Sequence, residues 1–134
     1  MTTATRPALY PFLRYADAPA AVRWLNQAFG FEEHMVVPGE DGTIAHAELK
    51  LGADMIMIGS QRDDRFRMRA PGKDGYASQG CYIVVDEIDA HFTRAVAAGA
   101  DVLCPLYDTD YGSREYVVRD PEGHIWSFGT YQPA

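Results

Sequence analysis

The sequence predicts an α+β domain built from two tandem βαβββ modules. Its second half repeats its first at an offset of 70 residues. "GTIAHAELKLGADMIMIGS" (Gly42 to Ser60) aligns without a gap on "GSREYVVRDPEGHIWSFGT" (Gly112 to Thr130), and "YPFLRY" (Tyr10 to Tyr15) on "GCYIVV" (Gly80 to Val85). Within each half, strand-like segments and one helical apolar stripe follow in the same order. A unit of this size is marginal as a free-standing core, so two such units are expected to bury their apolar faces together.

Module 1, about residues 7–60, opens with a strand near Leu9–Ala16. In "DAPAAVRWLNQAFGF", Asp17 is the predicted N-cap and Pro19 falls early, where a missing N–H is harmless. Val22, Leu25, Ala28 and Phe29 recur at helical spacing, and Gly30 terminates the helix. A strand near Glu33–Val37 follows, closed by the turn "PGEDG". "TIAHAELKL" and "DMIMIGS" form a hairpin across Gly52.

Module 2, about residues 79–132, repeats this order. "CYIVVD" is a strand, and "EIDAHFTRAVAAGA" a helix with Ile88, Phe92, Ala95 and Val96 on one face and Gly99 as its stop. "DVLCPLYD", "SREYVVRD" and "HIWSFGTY" are strands, the last two joined by the turn "DPEG". The helices align with a one-residue slip, Gly30 against Gly99. Between the modules, about residues 61–78, four arginines and a lysine cluster with Phe66, Met68 and Tyr76. This segment reads either as a solvated linker or as a flap or arm over a pocket.

The chain has 134 residues, 14.9 kDa and 47% apolar content, which suits one compact domain. No apolar run approaches the ~18 residues that span a bilayer, and "MTTATRPALYP" lacks the apolar stretch of a signal peptide. The expected location is the cytoplasm, with no membrane partner. A formal charge of −7 opposes binding to a phosphate backbone, so no nucleic acid is expected. That sign leaves a cationic or neutral ligand easier to accept than an anionic one. Cys81 and Cys104 read as reduced, buried small hydrophobes. No GxSxG elbow, GxGxxG or GxxxxGK run appears.

Two βαβββ units, with "RDPEGHIWSFGTY" closing the second, resemble the vicinal oxygen chelate superfamily, which includes glyoxalase I, the extradiol dioxygenases and the bleomycin-resistance proteins. "HAELKLG", "TDYGSREY" and "DPEGHIWSFGTY" are similar, more narrowly, to its TioX-like antibiotic-binding branch. The resemblance implies a curved, half-open mixed sheet with helices on the convex side, a ligand on the concave side, and a homodimer. It also implies where metal ligands would stand in metal-using members: here Tyr10, Met57, Gly80 and Ser127. A catalytic divalent ion needs about three suitable N, O or S donors. Gly80 has no side chain, Met57 offers a soft thioether, and Ser127 and Tyr10 offer neutral hydroxyls. Neither a metal nor another cofactor is expected, and no catalytic residue is assigned.

His46 and Glu48 share a strand face. They read as a hydrogen-bonded polar pair or as displaced ligands of a non-standard metal site. Glu115 is expected on the opposite parity, and His34, His91 and His124 as surface residues. Alternation directs Tyr10, Phe12, Arg14, Met55, Met57, Tyr82 and Ser127 to the concave side. Tyr107 and Tyr111 are expected at its rim, whereas Trp24 and Trp126 pack in the helix layer. Such a lining suits a bulky, flat, apolar molecule. The expected function is non-catalytic sequestration of an aromatic natural product by a homodimer. The alternative is a metal-dependent glyoxalase- or dioxygenase-like enzyme using ligands such as His46 and Glu48.

Overall fold

The computed structural model describes residues 7–133, so the reading of residues 1–6 as free of a signal sequence lies outside the described residues. The elements run β1 (Phe12–Tyr15), α1 (Ala18–Phe29), β2 (Glu32–Pro38), β3 (Ile44–Leu51), β4 (Asp54–Ser60), β5 (Gly80–Val84), α2 (Ile88–Ala97), β6 (Asp101–Asp108), β7 (Arg114–Arg119) and β8 (Ile125–Gly129). They form two open four-stranded sheets, ordered β1-β4-β3-β2 and β5-β8-β7-β6. The β1–β4 and β5–β8 pairs are parallel and all the others antiparallel.

Local chemistry sets the helix ends. The Asp17 side chain accepts the Ala20 N–H at 3.1 Å, and Gly30 ends α1 at φ 86°, where a Cβ would be strained. The buried stripe of α1 is Ala18, Ala21, Val22, Leu25, Ala28 and Phe29. In α2 the expected stripe needs a correction. Val96 is 44% exposed, and His91 takes the inward place beside Ile88, Phe92 and Ala95, as i, i+3, i+4, i+7 spacing requires. The His91 ring lies 4.4 Å from Phe128, and its Nδ1 hydrogen-bonds the Tyr116 hydroxyl. It is no surface histidine. Burial, then Arg94, lowers its pKa to about 4.

The largest buried side chains are Trp126, Tyr15, Tyr116, Phe128, Leu25, Leu49 and Val118. Phe29 of α1 packs on Trp126 at 5.5 Å and on Phe128 at 4.7 Å, so one core serves both modules. Polar ties reinforce the join. Trp24 Nε1 donates to the Ala98 carbonyl at 2.8 Å, and Arg94 caps the carbonyls of Asn26 and Gln27 at the end of α1. The Glu122 carboxylate accepts the N–H groups of Ala16 and Asp17. His124, also expected on the surface, hydrogen-bonds the Arg14 carbonyl at 2.8 Å and lies 4.6 Å from the Tyr15 ring.

The register departs from the gapless repeat at one place. Phe12 and Tyr82 face Met57 and Ser127 at an offset of 70. Across the hairpins, Met57 faces Glu48 but Ser127 faces Val117, and 117 against 48 is an offset of 69. The extra residue sits in the "DPEG" turn: four residues separate Lys50 from Met55, and five separate Arg119 from Ile125. A one-residue slip exchanges the two faces of a strand. Tyr116 and Val118 therefore enter the core, and Glu115 joins the helix-free face, contrary to its expected parity.

Candidate functional site

Most of the predicted site residues fall on the helix-free faces of the two sheets, whereas Tyr10 precedes β1 and Tyr111 lies in the turn between β6 and β7. In module 1, Phe12 pairs with Met57, which pairs with Glu48. Tyr10 and Phe12 are each half exposed, and Met55 and Met57 are partly so. His46 Nε2 lies 2.9 Å from Glu48 Oε2, the expected polar pair, and His34 Nε2 stands 4.0 Å from Glu48 Oε1. The bulge between Glu33 and Met35 accommodates His34 in β2.

Arg14 is not an open polar handle. It is 6% exposed, its Nη2 pairs with Asp64 Oδ2 at 3.1 Å, and its guanidinium lies over Phe66 at 5.5 Å. Both partners come from the segment joining the modules, which covers this end of β1. The Arg14 Nη1 atom has no hydrogen-bond partner among the described residues.

In module 2, Tyr82 pairs with Ser127, which pairs with Val117. At the centre stands Glu115, 7% exposed. Its Oε1 accepts the Tyr107 hydroxyl at 3.1 Å, and its Oε2 accepts Ser113 Oγ at 3.0 Å and, more weakly, the Tyr82 hydroxyl at 3.4 Å. The Tyr82 hydroxyl also reaches the Tyr131 carbonyl at 2.8 Å. Partial burial and the nearby Glu115 push both phenols above their usual range, so they remain donors at neutral pH. Tyr111 stacks edge-on against Tyr131 at 5.5 Å and is 62% exposed. Glu115, Ser113 and Tyr131 are not legible as site residues in the sequence. The one signal for them is the length of the "DPEG" hairpin turn, which the gapless alignment conceals.

Cys81 is half buried, and burial raises its thiol pKa. Cys104 is exposed on β6, a correction to its expected burial that follows from the open edge on which it lies. Two concavities lie apart from the predicted residues. One, about 750 Å³ and open, is lined by residues between 61 and 69 that include Arg62, Arg65, Arg67 and Arg69. The other, about 150 Å³ and apolar, lies between α1 and the "DPEG" turn, against Tyr15, Trp24 and Pro121.

The positions that the resemblance links to a metal do not fit one. Tyr10 and Ser127 offer neutral hydroxyls and Met57 a soft thioether, and Gly80 offers no side chain at all. A Cβ at position 80 would fall 2.9 Å from the Ile125 carbonyl oxygen, so this backbone admits no ligating side chain there. Among the described residues, no three His, Cys, Asp or Glu side chains are grouped so as to hold an ion.

Residues 8–128 match the Glyoxalase/Bleomycin resistance protein/Dioxygenase superfamily. An uncharacterized protein of Mycobacterium bovis is 37% identical over 134 residues, covering 96% of this chain and 86% of its own. Among solved structures, TioX from Micromonospora sp. ML1 is 35% identical, with a TM-score of 0.74 over 93% of this chain and 100% of its own. The fosfomycin resistance protein FosX from Mesorhizobium loti shares the fold at 14% identity, with a TM-score of 0.67 over 96% of this chain and 95% of its own. The match along nearly the whole chain agrees with the paired βαβββ modules, and the chain belongs to the glyoxalase/bleomycin resistance protein/dioxygenase superfamily.

Proposed function

We propose that this protein binds a bulky aromatic natural product and holds it unchanged, as a cytoplasmic homodimer of the antibiotic self-protection type. The observation that carries this reading is the pair of helix-free faces. Tyr10 and Phe12 present half-exposed rings with Met55 and Met57 on one face, and Tyr82, Tyr107 and Tyr111 present partly to largely exposed rings on the other; Tyr10 and Met57 stand where metal-using relatives would place ligands. Aromatic rings and thioethers bind flat apolar molecules through area and polarizability and require no bond chemistry.

A second chain is part of the proposal. The accessible surface is 8897 Å², whereas a folded monomer of 14.9 kDa exposes roughly 7,000 Å² by size scaling. The difference, roughly 1,900 Å², is more than the ~800 Å² that each partner contributes to a standard interface, so the chain has surface to spare for one. Edge strand β2 leaves Met35, Val36 and Val37 exposed, and β6 leaves Leu103 and Tyr107 exposed, apolar edges that a partner would cover. Burying ~300 Å² of apolar ligand gives at most roughly 7–8 kcal/mol, much of it offset by lost freedom. One sheet face is therefore a weak site, and two faces closing on the ligand make an adequate one.

Isothermal titration against quinoxaline, anthraquinone and glycopeptide antibiotics tests the reading. Binding at about 10 μM or tighter to one class supports it, and nothing tighter than about 100 μM across all three counts against it.

A second reading has one observation in its favour: His46 and His34 flank the Glu48 carboxylate. A metal enzyme with displaced ligands would draw on them after rearrangement. Elemental analysis showing one tightly held divalent ion per chain, lost in a Glu48→Gln variant, would support it.

A further inference from the structure

Glu115 is a buried carboxylate whose neighbours supply hydroxyl protons and, among the described residues, no positive charge. The flanking arginines are engaged elsewhere: Arg114 with Asp89 and Asp108, and Arg119 with Asp101. Burying a carboxylate without a counter-charge is costly, and hydroxyl hydrogen bonds offset only part of that cost. The backbone is shaped to admit it. At Gly129, a Cβ would stand 2.6 Å from the Tyr82 hydroxyl oxygen and 2.7 Å from Glu115 Cγ. The strand is bare where the carboxylate and the phenol meet.

We infer that Glu115 is the charged anchor of the proposed ligand site, and that it selects aromatic ligands bearing a protonated amine or a similar N–H donor. The hydroxyl protons of Tyr107 and Ser113 point to Glu115, and that of Tyr82 points to Glu115 or the Tyr131 carbonyl. With these protons committed, the groups offer a ligand only lone pairs and ring faces. A centre that is anionic, acceptor-only and bordered by the part-exposed rings of Tyr82 and Tyr107 complements a cation with N–H donors. A neutral or anionic ligand of the same shape would leave the carboxylate desolvated and unpaired. The net charge of −7 acts in the same direction at longer range.

This inference rests on the binding function proposed above and is tested separately from it. The probes are 9-aminoacridine, cationic near neutral pH, and acridone, its neutral analogue, titrated calorimetrically into the full chain and into Glu115→Gln. Gln keeps the size of the side chain and an acceptor for Tyr107. The expected result is a preference of about tenfold or more for the cation in the native chain, abolished in the variant with acridone binding nearly unchanged. Equal affinities in the native chain, a preference retained in Glu115→Gln, or no binding of either probe would overturn it. The antibiotic panel then decides independently whether the chain is a binder at all. If Glu115→Gln fails to fold, the comparison of the two probes in the native chain decides alone.

Discussion

At Asp120 one carboxylate collects the Tyr15 hydroxyl at 2.6 Å, the Trp126 indole N–H at 3.1 Å and the backbone N–H groups of Glu122 and His124. It closes the "DPEG" turn and fastens that turn to the first strand of the other module. Burial, then Asp120, holds the Tyr15 phenol well above its ordinary pKa, so it stays a donor. Asp120→Ala leaves two buried donors unpaired, and urea unfolding is expected to show a loss of about 3–5 kcal/mol, against about 1–2 for Tyr15→Phe. His91 gives a prediction with pH. Its folded pKa is about 4, below the ordinary imidazole value of 6.5, so the unfolded chain takes up the proton first and stability falls as pH drops through that window. Allowing for its partial exposure, the loss is about 1–2 kcal/mol at the acid end. His91→Gln is expected to remove that loss, as unfolding midpoints measured across the window will show. The inward turn of Tyr15 is legible from alternation. Its bond to a residue 105 positions away is not, because periodicity carries only local information.

Among the elements, sequence signals locate α1 and the hairpins because Asp17, Gly30, Gly52 and the "DPEG" turn each fix a backbone geometry on their own, whereas α2 is located by its apolar spacing and by Gly99, at φ 90°. The first strand is shorter than expected, Phe12–Tyr15 rather than Leu9–Ala16. The face of β7 differs from the expected one for a physical reason. Turn length, not residue similarity, sets hairpin register, and one added residue exchanges Tyr116 and Glu115. His91 shows the converse: helical spacing points inward at that position, but its polarity suggests the surface. Gly129 supplies a test at this scale. Gly129→Ala places a methyl against Tyr82 and Glu115, so ligand affinity is expected to fall by about tenfold in calorimetry while far-UV circular dichroism stays unchanged.

For the whole molecule, the shared core of α1, α2 and Trp126 explains why neither module is expected to persist alone, whereas the two helix-free faces remain open in one chain. The proposed meeting of those faces is beyond the sequence, since a cleft between copies would depend on contacts that local patterning does not encode. Sedimentation equilibrium is expected to give twice the 14.9 kDa chain mass, and Val37→Glu on β2 to shift it toward the monomer by placing charge on an apolar edge. The most direct test of the central claim is calorimetric titration of chelator-treated protein with the antibiotic panel, followed by mass spectrometry of the recovered ligand. Binding at about 10 μM or tighter with the ligand mass unchanged is the predicted result, whereas turnover to a new mass, or affinity that appears only on adding a divalent ion, would contradict it.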